Sequence, residues 1–418
     1  MAKKTDLSTE PYKGVRDFYP EDQFLQKYMF ESMARACEHF GYEEYNASVL
    51  EPTDLYLAKT SEEIVNEQTY TFKDRGDREV TLRPEMTPTL ARMIAAKVRD
   101  IPMPARWYSI ANFFRYEQVR KGRQREFWQL NADIIGSESI EADAEILALA
   151  HSIMRSFGAD ERNFELRVSD RRFLDAAYDA CGVQASERPE VTRLLDKRAK
   201  LDNFEGELKK LLKDRSAKLI EYVDRTTSTA YLEKLQTQVR ALGVGNMVVD
   251  TSIARGFDYY TGMVFEVFDT SGENKRSLFG GGRYDGLVGI FGAESVAAVG
   301  FAVGDVALRD FLATHNLLPK YAPATELMLC VVDESALGHA TKLAQDLRHE
   351  DITVAVNFSG KRIGDQIRQA DKMKVPFVIA IGEKERDSGK YTIKQLSTGN
   401  ETTLSADRIA EHLFSSLG

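Results

Sequence analysis

Residues 255–262 combine side chains that suit a pocket for a charged ligand. They read R-G-F-D-Y-Y-T-G and precede the apolar run Met263 to Phe268. Arg255 carries a planar, permanently charged guanidinium, and the glycine after it lets the backbone turn sharply. Tyr259 and Tyr260 add rings whose hydroxyls need hydrogen-bond partners when buried. The segment predicts a pocket that holds an anion beside a small polar group, although a surface loop leading into a strand has the same composition.

A second polar group lies on two predicted strands, Trp107 to Tyr116 and Glu126 to Ile135. Alternate residues of a strand share a face. The polar residues expected on one face of the second strand are Gln129, Asn131 and Asp133. Arg115 and Glu117 are expected to share a face of the first strand. An antiparallel sheet with one solvated face would alternate similarly, but this face carries amides and short acceptors instead of lysines and threonines.

The tip between these strands is strongly basic. It reads Arg120-Lys121-Gly122-Arg123-Gln124-Arg125, which places four cations in six residues. A phosphate backbone could lie against such a tip. The segment before the first strand, Leu82 to Pro88, places Glu85 and Thr87 between two prolines. Prolines favour extended backbone before them, so we expect a stiff loop whose carboxylate and hydroxyl suit an ammonium group. A turn-capping pair would look the same.

Composition narrows the class of protein. The chain has 418 residues, 43% of them hydrophobic and 29% charged, which predicts two or three soluble domains. A net charge of −9 argues against a protein that coats nucleic acid indiscriminately. No apolar run approaches the ~18 residues of a membrane span. The three cysteines are scattered, which argues against a zinc site or disulfides and favours the cytoplasm.

Histidine placement excludes several mechanisms. Between His39 and His315 the only histidine is His151, in a segment with helical spacing. A Ser-His-Asp triad, a Cys-His pair or a polyhistidine metal site is therefore not expected among the candidate residues.

Periodicity predicts a mixed α+β chain. Helical spacing marks Gln23 to Phe40 and Glu141 to Phe157, and the charged segment Asp179 to Val223 predicts an inserted helical module. Residues Gly280 to Asp285 are expected to form a turn. After a proline-containing linker, strands and helices alternate from Leu327 onward, which predicts a small α/β domain with a parallel core.

Several of these motifs resemble those of class II aminoacyl-tRNA synthetases, and of the histidyl-tRNA synthetase family in particular. The run F-R-Y-E at residues 114–117, with the loop to Arg125 and Phe127, is similar to the second class motif, and G-F-A-V-G at 300–304 resembles the third. R-G-F-D-Y-Y and G-G-G-R-Y-D resemble the two histidine-specific signatures, and L-R-P-E-M-T and Q-L-N-A-D the amino-acid-binding segments. The last domain, with G-E-K-E at 382–385, resembles the anticodon-binding domain. The resemblance covers nearly the whole chain.

The resemblance implies an antiparallel sheet core flanked by helices, with a helical insertion and a C-terminal α/β anticodon-binding domain. The expected domains are the first part of the catalytic core (1–170), the insertion (171–230), the second part of the core (231–318) and the anticodon-binding domain (326–418). The implied protein is a cytoplasmic homodimer without a membrane segment.

The resemblance also implies a reaction: histidine is activated with ATP to histidyl-adenylate and transferred to the 3′ end of tRNA(His), with Mg²⁺ on the β- and γ-phosphates. The residues implied to hold the reacting phosphate are Arg115 and Arg255. The residues implied to bind histidine are Glu85, Met86, Thr87, Gln129, Asp133, Arg255, Tyr259 and Tyr260, of which Glu85, Thr87 and Gln129 would hold the α-amino group, and Asp133 and Tyr259 the imidazole. Those implied to bind ATP are Arg115, Glu117, Arg123 and Phe127, and those implied to touch tRNA are Arg120, Lys121, Arg123 and Arg125. Further cations that could face RNA, or simply a solvated helix, are Lys361, Arg362, Arg368 and Lys372.

Two positions depart from the family pattern. Ala307 stands where the third motif usually carries an arginine on ATP, and Ser48 stands where the first motif usually has proline. The alternative function is a non-catalytic histidine sensor that resembles the regulatory subunit of ATP phosphoribosyltransferase. The terminal module and the paired arginines favour the enzyme over that sensor, and over an RNA-binding scaffold without catalysis.

Overall fold

The structure is a computed structural model. It describes residues 7–57, 68–120, 122–196, 198, 201, 203–251, 253, 259–273, 276–286 and 288–417. Contacts divide the chain into two units, one of residues 1–17 and 26–318 and the other of residues 18–25 and 319–418. Among the described helices, none combines the length and the apolar character that a membrane crossing needs.

The elements, in chain order, are as follows. The strands are β1 (Glu43–Glu44), β2 (Leu50–Pro52), β3 (Tyr70–Lys73), β4 (Glu79–Leu82), β5 (Ala105–Phe114), β6 (Glu126–Ile135), β7 (Phe164–Asp170), β8 (Met247–Val249), β9 (Met263–Asp269), β10 (Ser277–Arg283), β11 (Ala298–Gly304), β12 (Leu327–Val331), β13 (Val354–Asn357), β14 (Phe377–Ile381), β15 (Lys390–Gln395) and β16 (Glu401–Ser405). The helices are α1 (Pro20–His39), α2 (Asp54–Leu57), α3 (Thr87–Lys97), α4 (Ile140–Ser156), α5 (Arg171–Cys181), α6 (Arg188–Asp196), α7 (Phe204–Leu212), α8 (Arg215–Arg225), α9 (Ala230–Ala241), α10 (Asp305–Thr314), α11 (Leu337–His349), α12 (Ile363–Lys372), α13 (Glu383–Ser388) and α14 (Ile409–Leu417).

The larger unit is built on a mainly antiparallel sheet. Within the described residues its strand order is β1-β5-β6-β11-β10-β9-β7-β8, and only the pairs β1–β5 and β7–β8 at the two edges are parallel. A smaller antiparallel sheet has the order β2-β4-β3. The antiparallel sheet core flanked by helices is therefore present as predicted.

One face of the large sheet carries the main core. Helix α4 is buried along most of its length, with Ile146, Leu149 and Ile153 fully enclosed. It packs with α9 and α10 against apolar side chains of the sheet, such as Leu130 and Phe265. Since these side chains fill one face, the polar residues that alternate with them must point to the opposite face.

The glycine run at residues 280–282 does not form the predicted turn. The sequence predicted a turn there, but these residues lie inside β10, between β9 and β11. A Cβ on Gly280 would lie 2.4 Å from the carbonyl oxygen of Phe265, and one on Gly281 would lie 2.1 Å from that of Gly300. The glycines are needed because the neighbouring backbones approach too closely for side chains.

Helices α5 to α8 form a separate apolar cluster. The side chains that fill it include Phe173, Leu174, Leu208 and Leu219. Arg215 and Glu187 join two parts of this module through an ion pair of 2.7 Å. The described part of the segment from 179 to 223 thus contains helices, as its spacing predicted.

The second unit contains a five-stranded sheet within the described residues, in the order β13-β12-β14-β15-β16. Its first three strands are parallel, as the alternation of strands and helices predicted. Strands β15 and β16 add an antiparallel hairpin that the sequence analysis did not predict. Buried residues such as Tyr391 and Ile393 alternate there with polar, more exposed ones, so these strands lack the continuous apolar runs that marked the inner strands.

Candidate active site

A cavity of about 760 Å³ opens on the polar face of the large sheet. Strands β6, β9, β10 and β11 contribute to its wall, together with the start of α3 and the hairpin tip between β5 and β6. The predicted site residues that line it are Glu85, Thr87, Arg115, Glu117, Arg120, Arg123, Phe127, Gln129, Asp133, Tyr259 and Tyr260. The structure therefore brings together side chains that are up to 175 residues apart in sequence, counted from Glu85 to Tyr260.

Alternation along β6 builds the cavity wall. Gln129, Asn131 and Asp133 line the cavity, while Leu130 and Ala132 between them are fully buried in the core. The face that the sequence pattern singled out is the face that lines the cavity. Arg115 and Glu117 also line it, but β5 ends at Phe114, so they follow the strand and do not share one of its faces as expected.

Asp133 lies at the deep end of this wall. Its side chain is 5% exposed, and its Oδ1 atom accepts a hydrogen bond of 2.5 Å from the hydroxyl of Tyr284. Burial raises the pKa of Asp133 to about 7, although the Tyr284 hydrogen bond lowers it. The carboxyl group can therefore change charge near neutral pH.

Gly300 makes room for Asp133. The two residues are direct neighbours across β6 and β11, and a Cβ on Gly300 would lie 1.9 Å from the Oδ1 atom of Asp133. Any side chain at position 300 would push the carboxylate away from its present position.

Glu85 is a buried carboxylate at the start of α3. It is 3% exposed, and its Oε2 atom accepts a hydrogen bond of 3.1 Å from the hydroxyl of Tyr259. Burial raises the pKa of Tyr259 well above its usual value, so its hydroxyl stays protonated. Thr87 is the first residue of α3 and not part of a stiff loop, because Pro88 occupies a position in the first helical turn where its missing N–H costs nothing.

Arg115 is held by its Nε atom, which donates to the carbonyl oxygen of Pro84 at 2.9 Å. Its guanidinium lies over the ring of Phe127, 5.4 Å from the centroid. The nearest carboxylate, Glu117, is 4.0 Å from Nη1. Among the described residues neither terminal nitrogen of Arg115 has a hydrogen-bond partner, so the outer edge of the fork is available to an anion.

Only some of the cations in the hairpin tip face the cavity. Arg120 and Arg123 line the cavity, and Arg123 forms an ion pair of 2.5 Å with Glu117. Arg125 does not line it. Its guanidinium stacks 3.9 Å from the ring centroid of Tyr116, and its Nη1 donates to the hydroxyl of Tyr12.

Besides Arg125, Met86 is a predicted site residue that does not line the cavity. Met86 is fully buried and packs with Ala111 and Phe113, so its side chain is a core residue. Arg255 and Lys121 lie outside the described residues, as does the rest of the segment 254–258.

Sequence reasoning missed several polar residues of the cavity. Tyr284 belongs to the quoted G-G-G-R-Y-D run, but only the structure shows that its hydroxyl meets Asp133. Glu266 on β9 also lines the cavity and accepts a hydrogen bond of 2.8 Å from the Ser277 hydroxyl. Asn131 was expected on the right face, yet it was not singled out. Alternation could have identified Asn131, whereas the roles of Tyr284 and Glu266 depend on contacts between segments far apart in sequence.

The region of the third motif also differs from an ordinary phosphate site. Asp305, at the start of α10, is 2% exposed and lines the cavity. It accepts from the backbone N–H of Trp128 at 2.9 Å and from Arg16 at 2.7 Å. Ala307 lines the same wall without a charge.

Comparison with known proteins decides the family. Residues 14–308 match the family model of histidyl-tRNA synthetase, and residues 326–414 match the model of an anticodon binding domain. The chain is 42% identical to a histidine–tRNA ligase of Leptospira biflexa, over 96% of this chain and 97% of that protein. The chain belongs to the histidyl-tRNA synthetase family.

Other relatives agree with this assignment. A histidine–tRNA ligase of Halorubrum lacusprofundi is 37% identical over 94% of each chain. The crystal structure of histidyl-tRNA synthetase from a Nostoc species has the same fold, with a TM-score of 0.81 and 23% identity, covering 98% of this chain and 100% of that one. The predictions of a histidyl-tRNA synthetase, of its α+β fold class and of its enzyme class are confirmed. The roles of individual site residues stay predictions.

Proposed function

We propose that this histidyl-tRNA synthetase activates L-histidine with ATP and transfers it to the 3′ end of tRNA(His). One observation carries the proposal: a single cavity is lined by acceptors that suit an amino acid and by arginines that suit a phosphate. The acceptors are Glu85, Thr87, Gln129 and Asp133, and the described arginines include Arg115 and Arg123.

The amino-acid end of the cavity fits histidine. Glu85, Thr87 and Gln129 offer acceptors to the α-amino group, while Asp133 accepts a ring N–H of the imidazole. Because the Tyr259 hydroxyl donates to Glu85, its oxygen can accept the second ring N–H. Tyr260 stacks edge-on against Tyr259, with ring centroids 5.1 Å apart, and closes this side. Other amino acids would leave these buried groups unpaired, which can discriminate by roughly 10⁴-fold.

The phosphate end fits the activation step. We propose that the outer edge of Arg115 holds the α-phosphate while a carboxylate oxygen of histidine attacks phosphorus in line and pyrophosphate leaves. Arg255, by its place in the family motif, is proposed as the second cation. Preplaced donors stabilise the charge that develops on the phosphoryl oxygens, so no protein nucleophile is needed.

We assign the adenine end of ATP to Glu117 and Phe127, with Arg123 on the phosphates. Glu117 accepts from Arg123, which fixes the carboxylate toward the cavity. Mg²⁺ prefers carboxylate and phosphate oxygens, and Glu266 offers a carboxylate on the cavity wall. When bound to the β- and γ-phosphates, the ion would neutralise the leaving pyrophosphate.

The tRNA contacts are proposed at two places. Arg120, Lys121, Arg123 and Arg125 belong to the hairpin tip beside the cavity. In the second unit, a groove is lined by Lys361, Arg368 and Lys372 together with Ser359. With Arg362 before α12, these cations suit a phosphate backbone. Met86 is proposed to act only through the packing that places Glu85 and Thr87.

The remaining expectations stay part of the proposal. We propose the cytoplasm as the compartment, supported by three buried cysteines that are not in disulfides. We also propose a homodimer and the domain boundaries given above, with the insertion (171–230) placed over the acceptor stem.

The test is histidine-dependent exchange of pyrophosphate into ATP, run with each of the twenty amino acids, followed by charging of tRNA(His). We expect exchange with histidine alone. Histidine binding without exchange would instead identify a histidine sensor. Exchange with a different amino acid would refute the assignment of the acceptor groups.

A further inference from the structure

Asn131 is a buried cavity residue whose hydrogen bonding is incomplete. It lies in the middle of β6, is 5% exposed and lines the cavity. Its Nδ2 atom is buried and has no hydrogen-bond partner within the described residues. A buried amide without a partner costs free energy, so native proteins usually provide one.

The neighbouring strands do not provide that partner. Asn131 pairs with Ser109 on β5 and with Ala302 on β11, and directly opposed residues share a face. Ala302 has no polar side chain. The Ser109 hydroxyl is buried, interacts with the hydroxyl of Tyr45, and is not part of the cavity lining. The cavity is therefore the side from which a partner for Asn131 can come.

The position along the strand limits what that partner can be. Side chains two residues apart on one face are separated by about 6.5–7 Å. Asn131 thus lies between Gln129, assigned above to the α-amino group, and Asp133, assigned to the imidazole. The ring nitrogens of histidine are assigned above to Asp133 and Tyr259 as donors, so the carboxylate is the hydrogen-bond acceptor of the substrate that remains. The free group of Asn131 is a donor.

We propose that Asn131 is a further histidine-binding residue, which donates a hydrogen bond from its amide to the carboxylate of the bound amino acid. The proposal rests on the proposed function for the placement of histidine. It adds a contact that none of the predicted site residues supplies, because the other groups on this wall address the two ends of the substrate.

The experiment measures the histidine Kd by calorimetry, and the KM values for histidine and ATP by exchange, in the wild type, Asn131→Ala and Asn131→Leu. Both variants remove the donor, and leucine keeps the branched shape and the number of side-chain heavy atoms of asparagine. We expect the histidine Kd and KM to rise about fivefold to tenfold in both, with the ATP KM within about twofold. Ser109→Ala, which removes a buried hydroxyl opposite Asn131, should leave all three constants unchanged.

A purely structural role predicts different results. In that case Asn131→Ala would lower the Tm, and the histidine constants of both variants would match the wild type, which would overturn the proposal. Histamine, which lacks the carboxylate, tests the assigned acceptor. We expect Asn131→Leu to leave histamine inhibition unchanged while histidine binding weakens. Histamine inhibition weakened as much as histidine binding would overturn the assignment of the carboxylate.

Different results would refute the Asn131 contact and the proposed function. Wild-type protein that binds histidine without exchange would refute the enzyme and still allow the Asn131 contact to be measured by calorimetry. Wild-type protein that does not bind histidine would refute both.

Discussion

Arg283 and Arg115 are arginines of the same unit with opposite surroundings. Arg283 is 5% exposed at its side chain and forms an ion pair of 2.6 Å with Asp143, which is 2% exposed. It also donates to Asp285 and to the backbone of Ser137. Arg115 is 17% exposed at its side chain, and its one described hydrogen bond runs from Nε to Pro84. An arginine whose donors are satisfied within the protein holds the fold, whereas one with an open edge in a cavity is available for a ligand.

This contrast shows why motif matching alone does not separate the two roles. Arg283 belongs to a run that resembles a histidine-specific signature, yet its guanidinium is turned toward α4 and not toward the substrate. Its neighbour Tyr284 faces the cavity instead and bonds Asp133. Arg283 ends β10 and Tyr284 follows it, yet the two side chains have different partners, so one short motif serves both the core and the site.

Arg283→Met should give the largest effect, on stability. The variant leaves Asp143 buried without its cation, and breaking a buried pair in this way costs about 3–5 kcal/mol. We expect a clearly lower urea midpoint, with a histidine KM in the folded fraction near that of the wild type. An unchanged midpoint would show that the Arg283–Asp143 pair does not hold the fold.

Arg115→Ala should have the opposite effect, with a large loss of activity and little loss of stability. Losing one preorganised donor at a reacting phosphate lowers the rate by about 10²–10³-fold. The melting temperature should stay within a few degrees of the wild type. The carboxylate nearest to Arg115, that of Glu117, keeps its ion pair with Arg123 in the variant. Exchange assays and thermal melts on the same preparation check both points. A rate within tenfold of the wild type would remove Arg115 from the phosphate site.

Gly300→Ala should weaken histidine binding at the imidazole end of the cavity. The new methyl would collide with the Asp133 carboxylate, so we expect the histidine KM to rise about tenfold or more with little change in the ATP KM. Gly286→Ala is the matched control, because a Cβ there meets nothing within 4 Å. Equal histidine KM values in the two variants would contradict the placement of Asp133 in the binding site.

Asp133→Asn should change the pH dependence of stability. Burial raises the pKa of Asp133 from the ordinary 3.8 to about 7, so the folded state binds the extra proton between these values. Wild-type stability should therefore fall as pH rises from about 4 to 7 and then level off. The asparagine variant lacks this loss, and its Tm should exceed that of the wild type at pH 8 by more than at pH 5. If the Tm difference between the variant and the wild type is the same at pH 5 and pH 8, the pKa of Asp133 is not raised in the folded protein.

Much of the scaffold was predictable because it depends on local patterns. The bounds of β6 match the predicted strand, and the alternation along it identified the cavity face. These features follow from side-chain spacing within one segment. Resemblance to the family supplied the residues that lie far apart in sequence, such as Glu85 and Asp133.

The rest depended on contacts between strands, which spacing does not contain. Gly280 to Gly282 read as a turn because glycine usually marks one, but close packing of β9 and β11 forces glycine into the strand. Met86 sits in a binding motif and is nevertheless a core side chain. The hydrogen bond of Tyr284 to Asp133 joins residues 151 positions apart. In each case tertiary packing, and not local preference, decides the role.

The central claim is that one cavity binds histidine and ATP side by side. Its most direct test is calorimetric binding of a stable sulfamoyl analogue of histidyl-adenylate, compared with histidine and ATP separately. Since the analogue joins both ligands, it should bind at least about 100-fold more tightly than histidine alone. An analogue that binds no more tightly than either ligand would place the two in separate sites and contradict the account.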